Sequence, residues 1–416
     1  MAKRDDEGLT RRELLRRASS ALGIAVAATA CGDGDDSGEE PVEDAAGGAA
    51  GQGGDTDTGS NPDTDPDTDP DTDPDTDSGS DSGSDSDSDS DSGVSVALVR
   101  DAELDRAAAR AVELAGGLDA IRPGDRVFIK PNVVSDRATG VSGIRTSNEV
   151  IASVVRLVRD AGAGHVTVGD RSARAFDTAA VFENTGVTAA AMAAGADEVY
   201  PAPSAAQDPD AWVLTQPAGY EETWGGDGGI YAMRRILEAD HLINVPACKD
   251  HRFALFTLSM KNFVGAIEDG SRDPLHYLDS IGLDFAPLGG EIALLNQPFE
   301  PLMNVIDATT VLVNGGPEGD GTDAVRADAG IILASRDRVA LDAAGVALIK
   351  LEQTRATISQ PDRAQDLLSA QSPWELPQIA TAVEIGLGAR SPADARLRTE
   401  GLQDAERSMI EGFFAG

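Results

Sequence analysis

The chain has 416 residues and a formal net charge of −38; residues 32–93 contribute −22 and residues 1–31 contribute +2, so residues 94–416 carry −18. A domain that is acidic throughout argues against nucleic acid and anionic membrane surfaces as partners. At 323 residues it can bury a large core, as one domain or as two lobes. Cys248 is the only cysteine after Cys31, so no internal disulfide or iron–sulfur cluster is expected there.

Residues 1–30 have the pattern of a twin-arginine signal peptide. Arg11 and Arg12 precede an apolar stretch, residues 18–30, that is too short to span a bilayer. The last three residues of this stretch suit ordinary cleavage, but together with Cys31 they also resemble a lipobox, and we favour lipidation of Cys31. We therefore expect the twin-arginine export machinery as a partner and a location in the cell envelope, in the periplasm or at the outer surface, with the Cys31 lipid as the only membrane attachment.

Residues 31–93 predict a disordered acidic linker. From residue 32 onward this segment holds 22 Asp and Glu residues and no Lys or Arg, with four Pro-Asp-Thr-Asp units from Pro62 to Asp77 and Ser-Asp repeats after them. Such a segment cannot bury enough apolar surface to offset the entropy that ordering costs. We expect it to remain extended and to separate the folded domain from the lipid.

Residues 94–416 alternate between strand and helix signals. Apolar and β-branched runs predict strands at 94–99, 126–134, 165–169, 241–245, 302–307 and 331–335. Helical spacing predicts helices at 101–118, from the capping sequence at 146–149 to Gly162, and at 178–194, 230–238 and 338–352. Short strands and loops are expected at 197–229, and 253–264 is a further hydrophobic run. The first strand, helix and strand predict a βαβ unit, and the whole pattern predicts an α/β fold with a mostly parallel sheet and helices on both faces.

Polar residues follow several of the predicted strands. Ligands of parallel α/β sheets bind beyond the carboxyl ends of the strands, where loops from several strands meet. If these strands are neighbours, one cleft contains Lys130, Asn132, Asp170, Asn244, Lys249, His251 and Asp307. The alternative is that polar residues only mark where buried strands reach solvent.

Lysine and histidine are scarce in this domain. After residue 93 there are four lysines against 24 arginines, and three of the four histidines of the chain fall between His241 and His276. An ammonium is a compact charge whose pKa burial can shift, unlike a guanidinium. Lys130, Lys249 and Lys261 are therefore candidate functional residues.

The order of these motifs resembles the family called domain of unknown function 362. The resemblance covers nearly all of residues 94–350, and its motifs are Lys130-Pro131-Asn132, Gly169-Asp170-Arg171, Ile243 to Pro246 with Lys249 and His251, Thr257 to Gly265, Arg272 with His276, Asp307 with Gly315 to Pro317, and Asp337 to Asp342. Some members of the family are fused to ferredoxin-like cysteine modules, but this chain shows none, so no iron–sulfur cluster is expected. The family pattern Lys-Thr-His is Lys249-Asp250-His251 here, and the resemblance implies no established reaction.

One hypothesis is an enzyme that acts on a small anionic substrate, a carboxylate or a phosphate. Clustered cations would hold the anion, and a histidine near neutral pKa would move a proton. The candidate catalytic residues are His251, Lys249, Lys261 and His276, and the candidate substrate-binding residues are Lys130, Asn132, Arg171, Asn244, Asn262 and Arg272. A divalent metal is a candidate cofactor, with Asp170 and Asp307 as ligands beside a histidine, a set that suits zinc, manganese or iron.

Two other hypotheses remain open from the sequence. In the first, the protein is a tethered binding protein whose cleft captures an anion or a cofactor without converting it. In the second, Lys130 and Lys261 only neutralise buried aspartates, such as Asp342 in the apolar run from Val339 to Ile349.

Overall fold

A computed structural model describes residues 93–137, 142–220, 229–280, 285–317, 319, 323–361 and 363–416. The predicted signal peptide, Cys31 and the acidic linker lie outside these residues and stay predictions. Ser88–Gly416 forms one compact unit.

The strands of the described residues contain apolar and β-branched side chains that are buried on both faces. In the first strand, for example, Val96 and Leu98 face one core while Ala97 and Val99 face the other. Burial on both faces is typical of a sheet covered by helices on each side. The strands are β1 (Val94–Arg100), β2 (Arg126–Pro131), β3 (His165–Asp170), β4 (Glu198–Pro201), β5 (Trp212–Thr215), β6 (Ile230–Met233), β7 (His241–Val245), β8 (Ala247–His251), β9 (Leu255–Thr257), β10 (Pro301–Asn314), β11 (Val325–Ala327), β12 (Ile331–Ser335) and β13 (Ala395–Glu400).

The main sheet has the order β13-β1-β12-β10-β7-β2-β3-β4. β12 runs antiparallel to β1 and β10, whereas the other neighbouring pairs along this path are parallel. β8 adds to β10 in parallel and carries β9 at its other side, while β11 pairs with β10. β5 and β6 form a separate two-stranded sheet. The predicted mostly parallel sheet is confirmed.

Helices cover both faces of this sheet, as predicted. Those of the described residues are α1 (Leu104–Leu114), α2 (Asn148–Asp160), α3 (Thr178–Asn184), α4 (Val187–Ala193), α5 (Arg234–Leu237), α6 (Ser259–Asn262), α7 (Asp269–Ser280), α8 (Phe285–Leu294), α9 (Arg338–Arg355), α10 (Arg363–Ala370), α11 (Pro377–Glu384) and α12 (Asp404–Ala415). Residues of α1 to α4 pack in one core, and residues of α6, α8, α9, α11 and α12 pack in the other. None of the helices in the described ranges combines the length and apolar character needed to cross a membrane.

Several predicted elements differ from the structure for identifiable reasons. The predicted helix 178–194 is two helices, because Gly186 adopts a left-handed conformation (φ 75°) between α3 and α4. Most of the predicted helix 230–238 is instead strand β6 and the single turn α5, since Ile230 to Met233 pair with β5. The cap of α2 is Ser147, whose side chain accepts from the backbone N–H of Val150.

The two strands of the predicted βαβ unit, β1 and β2, are not neighbours in the sheet. β1 and β2 are parallel, but β12, β10 and β7 lie between them in the sheet. The last residues of the chain, which the family resemblance does not cover, supply β13, and this strand pairs with β1 at the edge. The C-terminal residues therefore complete the same sheet that carries the candidate site.

Candidate functional site

Lys130 and Asp170 form a buried ion pair at the carboxyl ends of β2 and β3. The Lys130 Nζ donates to Asp170 Oδ1 at 2.6 Å, and Asp170 Oδ2 accepts from the backbone N–H of Val133 at 2.7 Å. The Lys130 side chain is fully buried and that of Asp170 is 3% exposed. Burial lowers the pKa of the Lys130 ammonium and raises the pKa of the Asp170 carboxyl, because each charge has lost its water. The pair joins two neighbouring strands.

Gly265 lies directly against this ion pair. A methyl group on Gly265 would overlap Asp170 Oδ1 and would lie 2.8 Å from Lys130 Nζ. The backbone N–H of Arg171 also donates to the Gly265 carbonyl oxygen at 3.1 Å. Glycine at this position therefore allows the backbone after α6 to approach the pair.

Gly265→Ala is expected to destabilise the protein, because the added methyl group must push apart the two buried side chains of the ion pair. Overpacking of a well-packed interior costs about 1–3 kcal/mol. Chemical denaturation of the full chain measures the change in unfolding free energy. Gly412→Ala on α12 is the control, since a methyl group there would meet nothing within 4 Å; equal effects of the two substitutions would contradict the proposed crowding.

A chain of asparagine side chains connects the strand ends beside the ion pair. Asn132 Nδ2 donates to Asn262 Oδ1 at 3.2 Å, and Asn262 Nδ2 donates to Asn244 Oδ1 at 2.8 Å. Asn244 Nδ2 in turn donates to Asn304 Oδ1 at 3.0 Å, and Asn262 Nδ2 also lies 3.2 Å from the Lys130 carbonyl oxygen. The predicted residues Lys130, Asn132, Asn244 and Asn262 are therefore brought together, and amide contacts fix their positions across β2, β7 and β10.

Asp342 of α9 holds the start of α6, the short helix that carries Asn262. Its two carboxylate oxygens accept from the backbone N–H groups of Ser259 at 2.7 Å and Met260 at 3.0 Å. Burial raises the pKa of Asp342 to about 7, and these hydrogen bonds oppose the shift. The cation that acts on Asp342 among the described residues is Arg338, so the hypothesis of a neutralising lysine fits Lys130 with Asp170 and does not fit Asp342.

Lys249 and His251 lie two residues apart on β8 and so face the same side of that strand. The Lys249 Nζ donates to the carbonyl oxygens of Ile144 at 2.6 Å and Pro317 at 2.9 Å. It therefore connects the loop after β2 with the loop after β10. Both side chains are buried, and the free thiol of Cys248 is a buried neighbour, as expected for a structural residue.

The imidazole of His251 is oriented by backbone N–H groups of the turn that follows it. Its Nδ1 accepts from the backbone N–H of Phe253 at 3.2 Å and of Ala254 at 3.1 Å. An Nδ1 that accepts two hydrogen bonds carries no proton, so the neutral ring is protonated at Nε2. The turn after β8 therefore sets both the direction and the tautomer of this histidine.

Arg171 and Arg272 lie at the end of β3, and the charge of Arg272 acts on the Lys130–Asp170 pair. Arg171 pairs with Asp269 of α7 at 2.5 Å and donates to Thr178 Oγ1 at 2.8 Å. Arg272 donates to the backbone carbonyl oxygens of Ile267, Ser172 and Arg171, and burial lowers its pKa to about 10. Both guanidinium groups thus bind protein groups that fix α7 against the sheet.

Asp307 does not mark a strand end, because β10 continues to Asn314. Its Oδ2 accepts from the backbone N–H of Ser147 at 2.7 Å, and its Oδ1 accepts from the backbone N–H and the hydroxyl of Thr309. β7 and β2 lie between β10 and β3, so Asp307 and Asp170 are separated by three strand spacings, roughly 14 Å. The structure does not bring these two carboxylates together, and the described residues contain no cluster of three or more possible metal ligands.

The remaining predicted residues lie on helices near the same edge. Lys261 is on α6, directly before Asn262, and is partly exposed. His276 lies on α7, and its side chain is outside the described set. Their predicted catalytic roles stay predictions.

Arg145 is a candidate that sequence reasoning missed. It follows Ile144, whose carbonyl oxygen binds Lys249, and its Nη1 is buried without a hydrogen-bond partner in the described part of the chain. Burial lowers the pKa of Arg145, opposed by the charge of Asp136. Arginine is common in this domain, so composition gave no signal; its position in the loop after β2, just before the cap of α2, could have indicated it.

The comparisons with known proteins identify the family. The family model described as domain of unknown function (DUF362) matches residues 127–347, which is more than half of the chain. The chain belongs to this family. It is also 26% identical, over 295 residues, to a thylakoid-associated protein of Synechocystis sp., a match that covers 66% of this chain and 84% of that protein. All of β3, β7 and β8 and most of β2 and α9 fall within the matched residues of this DUF362 protein.

Two solved structures are similar at a low level. A crystal structure of a protein from Thermotoga maritima has 12% identity and a TM-score of 0.32, and the match spans half of each chain. The lactate racemase apoprotein from Thermoanaerobacterium thermosaccharolyticum has 11% identity and a TM-score of 0.38, with 75% of this chain and 85% of that chain covered. Similarity at this level does not bear on the function of the DUF362 chain.

Proposed function

We propose that this DUF362 protein is an exported, lipid-anchored enzyme that acts on a small carboxylate or phosphate beyond the carboxyl ends of β2 and β8. The observation that carries the proposal is the arrangement of Lys249 and His251. The ammonium lies between two loops at this end of the sheet, and the imidazole on the same side of β8 has a fixed tautomer. A cation beside an oriented hydrogen-bond donor can stabilise negative charge that develops on an anion during a reaction.

In this mechanism the positive charge of Lys249 attracts the anion, and His251 donates a hydrogen bond from its Nε2–H. The sequence alone suggested that His251 could act as a base. The two backbone N–H groups on Nδ1 favour the opposite direction, because the neutral ring presents an N–H at Nε2. His251 therefore donates a hydrogen bond from Nε2 to a substrate oxygen on which negative charge develops.

A divalent metal at Asp170 and Asp307 is not part of this proposal. Both oxygens of each carboxylate already accept hydrogen bonds from protein groups, and the two residues lie on strands that are not neighbours. Asp170 instead keeps Lys130 in place, and the asparagine chain keeps the ends of β2 and β7 in register. These residues position the strand ends beside β8, the strand that carries Lys249 and His251.

Native mass spectrometry of the processed protein, isolated gently from its host, tests whether an anion is bound. Incubation with a panel of small carboxylates and phosphate esters then tests whether any of them is converted. We expect the wild type to bind and convert an anion, Lys249→Met to lose binding, and His251→Gln to bind without conversion. Lys350→Met is the matched control, because Lys350 also donates to a backbone carbonyl oxygen, that of Gln371, on a different part of the fold.

Two results would decide against the enzyme. Binding without conversion by the wild type would indicate the tethered binding protein. Absence of any bound anion, or equal losses in Lys249→Met and Lys350→Met, would contradict a specific anion site at β8.

A further inference from the structure

Four buried polar atoms without hydrogen-bond partners in the described structure occur in the short segment from residue 132 to residue 148. They are Oδ1 of Asn132, Oγ of Ser135, Nη1 of Arg145 and Oδ1 of Asn148. Most buried polar atoms of native proteins have a partner, and exceptions call for an explanation such as water, an ion or a ligand. A concentration of exceptions in one loop at the carboxyl end of the sheet points to a ligand site.

The two ends of this segment are held together. The backbone N–H of Asn132 donates to Thr146 Oγ1 at 2.9 Å, and the backbone N–H of Thr146 donates to the Asn132 carbonyl oxygen at 3.0 Å. Thr146 is the neighbour of Arg145 and precedes Asn148 by two residues. Asn132, Arg145 and Asn148 therefore lie at one closed loop, although up to sixteen positions separate them in the chain.

The orientation of both asparagine amides is determined by the partner of the NH₂ group. Asn132 Nδ2 donates to Asn262 Oδ1 at 3.2 Å, and Asn148 Nδ2 donates to the Thr185 carbonyl oxygen at 2.9 Å. The atoms that remain are thus carbonyl oxygens, which only accept hydrogen bonds. Ser135 is 1% exposed, and its hydroxyl can either donate or accept.

We propose that Asn132, Ser135, Arg145 and Asn148 recognise an anion that carries a hydroxyl or amino group close to its carboxylate or phosphate. Arg145 binds the anionic oxygen, and the Oδ1 atoms of Asn132 and Asn148 accept from the hydroxyl or amino group. The Ser135 hydroxyl makes a further hydrogen bond, either to the anionic oxygen or to the hydroxyl or amino group of the ligand. The inference rests on the proposed function and names its substrate class, since the same loop supplies the Ile144 carbonyl oxygen that holds Lys249.

Calorimetric titration of the full chain with two matched ligand pairs tests this site. The pairs are butyrate with 2-hydroxybutyrate and propyl phosphate with glycerol 1-phosphate. We expect the hydroxylated member of at least one pair to bind at least about tenfold more tightly, and Arg145→Gln to weaken that binding by at least about tenfold. Arg407→Gln is the control, because Arg407 is a surface residue of α12 paired with Asp404, and it should change affinity less than about twofold.

A second measurement needs no ligand. Arg145→Met should leave the urea midpoint of the free protein unchanged or raise it, because it removes a partly buried charge that has an unused N–H. A fall in the midpoint would mean that Arg145 supports the fold, and it would overturn the proposal. Failure of the wild type to bind any of the four ligands, or equal binding within both pairs, would overturn it too.

The outcomes separate this site from the catalytic proposal. Binding that depends on Arg145 with no conversion of the ligand would leave the recognition site intact and contradict the enzyme. Conversion that is unaffected by Arg145→Gln would leave the enzyme intact and contradict the recognition site.

Discussion

Lys130→Met is expected to lower the free energy of unfolding by about 3–5 kcal/mol, because removal of one partner of a buried ion pair leaves the other charge uncompensated. Asp170 is 2% exposed, and after the substitution the N–H of Val133 still donates to it while the charge of Arg272 acts on it from nearby. The carboxyl must then take up a proton or draw water into the core between β2 and β3. Either response disturbs the strand ends on which the asparagine chain depends.

Two variants separate the loss of charge compensation from the loss of a lysine. Lys350→Met removes a buried lysine whose ammonium binds the Gln371 carbonyl oxygen, so its effect should be much smaller. Lys130→Met/Asp170→Leu removes both charges and should recover a large part of the lost stability, since an apolar pair can replace a buried ion pair at little cost. Urea denaturation at pH 7 measures all three. A double variant no more stable than Lys130→Met alone would contradict this account.

The sequence predicted the fold class because the α/β pattern is local. β-branched runs, helical spacing and the start of α2 near Ser147 depend on residues close in the chain, and these elements were found within a few positions. The order of strands depends on contacts between distant residues. Nothing local indicates that β12, β10 and β7 separate β1 from β2, or that Ala395 to Glu400 pair with β1.

Strand β6 is a second element whose structure depends on residues distant in the chain. Ile230 to Met233 precede two arginines and a leucine, which together resemble a helix by composition. Pairing with Trp212 to Thr215 makes them a strand, and that partner lies across a Pro- and Gly-rich stretch. Tertiary contacts override local propensity most easily in short segments.

The candidate site was predicted in part for a physical reason. Lysine and histidine are rare here, so their positions drew attention to Lys130, Lys249 and His251, and the structure places all three in or just beyond strands of the main sheet. The direction of each side chain was not predictable. Whether Lys130 binds a substrate or Asp170 depends on the packing of β2 against β3, and whether Nε2 of His251 donates or accepts a hydrogen bond depends on the turn that follows it.

The stability of the protein is expected to depend on pH through Asp342. Burial raises the pKa of this carboxyl to about 7 in the folded state, from a value of 3.8 without the protein environment. Between these values the folded state binds more protons than the unfolded state, so the contribution of Asp342 to stability is greatest below about pH 4 and is lost as the pH rises through 7. The slope approaches about 1.4 kcal/mol per pH unit within this window.

Urea denaturation of the wild type and Asp342→Asn at several values between pH 5 and pH 8 isolates this contribution. The difference in unfolding free energy, wild type minus variant, should fall as the pH rises to 7 and then level off. Glu406→Gln is the control: its pairing with Arg100 lowers the pKa of Glu406 to about 2, so its contribution is lost only as the pH falls toward 2. A flat difference for Asp342→Asn would mean that the carboxylate stays charged against the amides of Ser259 and Met260. A falling difference would mean that the folded state binds a proton at Asp342, the residue through which α9 contacts the start of α6.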